Sequence, residues 1–107
     1  MEFINKIELQ GIVGAVSLNK VGNTSVARFS VCTENSYNAN DGTAVIDTTW
    51  HSCTAWESDK NHISDIKKGA IVHLVGRLRA SRFTSFDGSE RLVYEVFVNN
   101  VSVIGQR

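Results

Sequence analysis

The chain has no proline, one methionine and two cysteines in 107 residues. It also lacks internal repeats and low-complexity stretches, so nothing in it reads as a linker and residues 1–107 are expected to form one domain. Two cysteines are too few for a disulfide framework. Cys32 and Cys53 fall on different predicted strands and are read as reduced, as in a cytoplasmic protein. No uninterrupted apolar run approaches the length of a membrane span. The opening "MEFINKIELQ" is broken by Glu2, Lys6 and Glu8, so no signal peptide is expected. Eleven basic and eleven acidic residues cancel, so any argument for nucleic acid must rest on where the charges lie rather than on their sum.

Signs of catalysis are equally sparse. There is no G-x-S-x-G, no P-loop and no dinucleotide fingerprint. His51-x-Cys53 is one metal-type pair without a matching second, and Cys32, His62 and His73 supply none. The carboxylates are scattered through turns or lie beside basic residues. No enzyme, metal or cofactor is expected.

Five stretches carry the alternation of β-strands. In 4–14, Ile7, Leu9 and Val13 oppose Lys6, Glu8 and Gln10; in 25–34, Ala27, Phe29 and Val31 oppose Arg28, Ser30 and Cys32. A third strand runs from about Ala44 through "TTWHSCTAWES" (48–58). The fourth, 70–83, sets Val72, Leu74, Gly76 and Leu78 against Ile71, His73, Val75, Arg77 and Arg79. The fifth, 91–104, is rich in β-branched residues and reads as covered on both sides in part. Gly22-Asn23, Asp41-Gly42 and Asp87-Gly88 mark turns, the last a strong hairpin signal. One short helix fits between the third and fourth strands. Ser58 or Asp59 would cap it, Ile63 and Ile66 would face inward, and Lys67, Lys68 and Gly69 would close it, the lysines on its dipole. Three strands, a short helix and two strands are the order of a five-stranded Greek-key OB-fold barrel, whose open face binds oligonucleotides. A simple meander or another small barrel would give a similar string.

Both tryptophans lie in the third strand. Trp50, Ser52, Thr54 and Trp56 share one face, and Thr49, His51, Cys53 and Ala55 the other. If the tryptophans faced the core, two hydroxyls would be buried with them at a cost. Cys53 and Ala55 suit a core better, so the tryptophan face is expected to point outward, with His51 inward as a core or subunit-contact residue. On the fourth strand, Arg77, Arg79, Ser81 and Phe83 share a face, and Arg77, Arg79, Arg82 and Arg91 crowd into positions 77–91. Rings and arginines on one sheet face are what sequence-tolerant single-strand binding requires. Cations neutralise phosphates, and each ring that stacks on a base contributes roughly 1–3 kcal/mol. A duplex reader would present a recognition helix, which is not evident here. Tyr37 and Phe86, in polar loops, either fold over the barrel end or reach the ligand. Lys6, Lys20 and Arg28 either extend the basic track or are ordinary surface charge. A protein-interaction module using the same rings as an interface is the rival reading; it would show a weak salt dependence.

Five stretches in this order, "NKIELQGIVG", "SVARFSVCT", "TTWHSCTAW", "KKGAIVHLVGRLRASRF" and "DGSERLVYEVFVNNV", resemble the bacterial single-stranded DNA-binding protein family. The resemblance implies an OB barrel, usually a homotetramer, that wraps single-stranded DNA in replication, recombination and repair. It implies stacking roles for Trp50, for Trp56 at the next aromatic position, for Phe83 after the R-x-R segment, and for Tyr37. Lys6, Arg77 and Arg79 resemble phosphate-contacting positions, with Arg82 and Arg28 added to the track, while His51 and His73 are assigned to subunit contacts. Ser52 and Ser58 stand where the family is often basic, and the helix is shorter than usual. The sequence stops at "SVIGQR", where typical members continue into a Gly/Pro-rich tail with an acidic tip. The expectation is therefore a truncated member, or a tailless paralogue from a mobile element or a primosome-like accessory, with tail-mediated recruitment of replication partners unsupported.

Overall fold

The computed structural model describes residues 1–59 and 61–107. Its strands are β1 (Ile7–Val21), β2 (Thr24–Asn38), β3 (Ala44–Trp56), β4 (Ala70–Thr84) and β5 (Glu90–Gln106). They close into a barrel in the order β1-β2-β3-β5-β4. All pairs are antiparallel except β3 with β5, whose two parallel pairs, Cys53–Val96 and Thr54–Phe97, complete the closure. This is the expected OB-fold barrel, not a meander.

Period-two alternation puts the apolar set of each strand inside. Val13, Ala27, Phe29, Val31, Cys53, Ala55, Val72 and Leu74 form the core with Val96, Val98 and Val101, and Ile7, Leu9 and Val16 pack against it. The faces of the first four strands agree with the sequence pattern up to Gly76. Beyond it, Leu78 is 44% exposed, not inward as the alternation predicts. At that point β4 and β5 leave the barrel as a two-stranded ribbon, so their inward side has no core beneath it.

Two hairpins end in the same five-residue turn. In Ala39–Thr43 and Ser85–Ser89, the first residue's N–H donates to the last residue's carbonyl, and the glycine N–H donates back to the first carbonyl. Asp41 and Asp87 brace these turns by accepting from the N–H and hydroxyl of Thr43 and Ser89. Gly42 and Gly88 take φ of 88° and 84°, which explains the Asp-Gly spelling of both.

The short helix between β3 and β4 is present, but its bounds and caps differ from those expected. Between β3 and β4 the described residues hold one 3₁₀ turn, Ile63–Asp65, with His62 at its cap position and no side-chain cap. Neither Ser58 nor Asp59 starts it: Ser58 pairs with Asn61 in an isolated bridge, and Lys60 lies outside the described residues. Ile66 is already extended and the turn is only three residues long, so the dipole argument for Lys67 and Lys68 fails. Ile63, at the start of the turn, and Ile66, just past its end, are nevertheless both buried in the core. The segment is held by tertiary bonds instead. Asn61 donates from Nδ2 to the Asn99 carbonyl (3.2 Å) and accepts from the Val101 N–H (3.0 Å). Those backbone groups flank a bulge in β5, where the register against β4 slips at Val75/Gly76.

Candidate nucleic-acid interface

Trp50 is 60% exposed and lies opposite Cys32 on the outer face of the β2–β3 pair. Its ring rests over the β1 backbone at Gly14, where an added Cβ would overlap ring atom Cζ3 and stand 2.9 Å from Cη2. Gly14 lies in the irregular stretch where the β1–β2 register slips between Val13 and Val16. The Ala15 N–H there is taken up by the Ser30 hydroxyl at 3.0 Å. One face of the indole is thus supported by backbone while the residue stays largely open to solvent. Trp56 shares the parity of Trp50 but is half-buried, opposite the buried Val26. Thr54, between them, is buried rather than exposed as its face predicts. Its hydroxyl finds a partner in Glu95 at 2.7 Å, and Ser52 stays in solvent.

The pairings place Ser17, Arg28, Thr54, Phe97 and Arg77 in one row across the outside of all five strands. Phe97 is the residue the sequence reading missed. The guanidinium groups of Arg77 and Arg79 both lie over its ring, each 5.1 Å from the centroid. Arg79 also forms an ion pair with Glu95, Nη2 to Oε1 at 3.1 Å. Among the described residues Arg77 forms no ion pair. Beside the row, a shallow groove of about 370 Å³ runs past Arg28, Ser30, Ser52, Thr54 and Glu95. Arg28 therefore belongs to this surface. Lys6 joins it as well, since Asn5 exchanges two hydrogen bonds with Leu78 (2.8 and 2.9 Å) and Ile7 pairs with Gly76. That pinning lays Lys6 beside Arg77.

Other predicted residues stand apart. Phe83 keeps the parity of Arg77 and Arg79, half exposed and opposite Arg91, a same-face cation that sequence reasoning counted but did not assign. Arg82 pairs with Leu92 on the reverse face of the ribbon. Tyr37 is not in a loop: it pairs with Val45 near the end of β2, exposed, on the face opposite Trp50. Phe86 is fully exposed at the tip of its turn, and Lys20 is exposed beside the β1–β2 turn. His51 faces inward, half-buried, with Nε2 2.8 Å from the Thr33 hydroxyl. His73 lies on the outer face, paired with Glu8 at 2.7 Å. Cys32 and Cys53 are both free and on opposite faces. Burial, aided by the charge of Glu95, pushes the Cys53 thiol up to about 12.

The model of the single-strand binding protein family matches residues 4–104. The chain belongs to that family. It is 32% identical over 84 residues to the single-stranded DNA-binding proteins of two Neisseria meningitidis strains, covering 78% of this chain and 48% of those proteins. The chain thus spans about half the length of these curated relatives. It is 28% identical over 113 residues to the single-stranded DNA-binding protein of Bacteroides thetaiotaomicron, with 97% of this chain and 68% of that one covered. Among solved structures, the Plasmodium falciparum SSB complexed with ssDNA superposes with a TM-score of 0.80 at 23% identity, over 100% of this chain and 98% of that one. A deletion mutant of the Thermus aquaticus single-stranded DNA-binding protein gives 0.79 at 15% identity, over 97% and 52%. These two likenesses establish the fold.

Proposed function

We propose that residues 1–107 act as one non-enzymatic unit that binds single-stranded DNA with little sequence preference. Bases stack on Trp50, Trp56 and Phe83, while Arg77, Arg28 and Lys6 neutralise phosphates, with Arg79 beside them. The observation that carries this reading is the row Arg28–Thr54–Phe97–Arg77 on the outer face of β3 that also bears the supported, exposed ring of Trp50. Cations beside an open indole on one barrel face match the two needs of a stacked, charged single strand. Tyr37 and Arg82, on reverse faces of their ribbons, are assigned to the strand's path around the hairpins rather than to this row.

The role extends to protecting single strands in replication, recombination or repair in the cytoplasm. No helix among the described residues is long and apolar enough to cross a membrane. A homo-oligomer, dimer or tetramer, belongs to the proposal, because one OB-fold covers about 4–16 nucleotides. The exposed Ile46, Leu92 and Tyr94 support such an assembly. His73, on the outer face, is better placed for a subunit contact than the half-buried His51.

The test is tryptophan fluorescence during titration with oligo(dT) across a salt series. Strong quenching that weakens as salt rises is expected. Trp50→Ala is expected to cost about 1–3 kcal/mol of binding. A folded protein that shows no quenching and no affinity would transfer the rings to a protein interface.

A further inference from the structure

The two arginines over Phe97 are not equivalent. Both lie 5.1 Å from the ring centroid, so both are held in place by the same side chain. Among the described residues only Arg79 is compensated, by Glu95 at 3.1 Å. Glu95 is itself fixed: its other carboxylate oxygen accepts from the Thr54 hydroxyl at 2.7 Å, and its side chain is 18% exposed. The carboxylate therefore does not swing away into solvent at little cost. It also lines the groove that Arg28 borders, where a phosphate approaching Arg79 would meet a like charge.

We propose that Glu95 competes with the DNA backbone for Arg79, so that Arg77 makes the phosphate contact here and Arg79 is held back. This rests on the single-strand reading given above and goes beyond it by assigning an affinity-limiting role to an acidic residue. A carboxylate bonded to a guanidinium occupies the donors that would otherwise grip phosphate and cancels the charge whose counterions would be released. Glu95 is a positioning and limiting residue, not a contact to DNA.

Glu95→Gln removes the charge and keeps an oxygen for Thr54. Oligo(dT) affinity of the full chain, followed by tryptophan quenching over a salt series, is compared for wild type, E95Q, R79Q, R77Q and the double variant E95Q/R79Q. E95Q is expected to bind roughly tenfold more tightly at low salt, with a slope steeper by about 0.7, the value of one added phosphate on a single strand. In the R79Q background the gain is expected to be clearly smaller, since there E95Q only removes a like charge from the groove. R77Q alone is expected to lose affinity and about 0.7 of slope, and R79Q to lose less, through the Glu95 charge it leaves uncompensated. The proposal is overturned if E95Q leaves binding unchanged or weakens it, if its gain is undiminished without Arg79, or if R79Q loses as much as R77Q. Should melting curves show that E95Q does not fold, the R77Q against R79Q comparison decides alone. A wild-type chain that fails to bind oligo(dT) would instead overturn the single-strand reading itself.

Discussion

Gly14 and Trp50 form one unit: the indole lies where a side chain on Gly14 would have to be. The glycine sits in a bulged stretch of β1, and the tryptophan reaches it from β3 across β2. What holds the ring flat is therefore a missing Cβ two strands away.

Gly14→Ala is expected to lift the ring off the strand. Tryptophan emission should shift to the red, and oligo(dT) binding should weaken by about 1 kcal/mol, less than loss of the whole stacking contact. Because the ring moves into solvent rather than into the core, the melting temperature should change little. Emission and affinity identical to wild type would mean that Gly14 does not set the ring's orientation.

Asn61 bridges the β3–β4 connection to the bulge in β5 through two backbone bonds, and its side chain is buried. Asn61→Ala leaves the Val101 N–H and the Asn99 carbonyl without these partners. The expected loss is about 1–3 kcal/mol of folding stability, measured by urea denaturation. Asn61→Asp keeps an acceptor for Val101 but buries a charge and turns a carboxylate oxygen toward the Asn99 carbonyl, so at neutral pH it should cost at least as much as Asn61→Ala.

Cys53 links stability to alkaline pH. Folded, its thiol is pushed from an ordinary 9.0 up to about 12. The unfolded chain therefore releases this proton first. Its contribution is fully present below about pH 9 and is lost as pH climbs to about 12. Denaturant midpoints across that window should fall for wild type and follow a flatter course for Cys53→Ala, whatever the variant's starting stability. In the native state a thiol reagent should label Cys32 well before Cys53.

Asp87 accepts from the Ser85 and Ser89 hydroxyls and the Ser89 N–H, and these bonds hold its carboxyl well below the usual carboxylate range. The sign follows from the lowered value: the stabilisation is present above the ordinary carboxylate pKa and disappears only as pH falls through the folded one. Protection of the Ser89 amide from exchange should survive mild acid in wild type and be reduced at every pH in Asp87→Ala. The Asp41–Thr43 turn, where the carboxyl is also lowered, should behave alike.

How much of this was legible depends on how local the cause is. Alternation alone determined the five strands and the inward side of most of them, because a half-buried strand must repeat with period two. The Asp-Gly turns were equally readable, since a positive φ favours glycine wherever it falls. The outward tryptophan face also followed from chemistry on one strand, although the burial of Thr54 did not. That depends on Glu95, a partner 41 residues away.

The rest belongs to the tertiary structure. The spacing of Ile63 and Ile66 reads as one inward side of a helix, whereas the short 3₁₀ turn is held by bonds to other elements, those of Asn61 to β5 and of the Ile63 N–H to Glu57. Leu78 obeys its strand's alternation but lies where the ribbon has left the core. Arg82 is as basic as its neighbours yet sits on the reverse face, while Arg91 joins Phe83 through a pairing eight residues away. Phe97 reads as one apolar residue in a β-branched run. It becomes the seat of two arginines only when β4 and β5 pair in this register and barrel closure brings Thr54 alongside. Side-chain type and period are properties of the sequence, whereas which residues from different strands share one patch is decided by register and closure, which no single segment encodes.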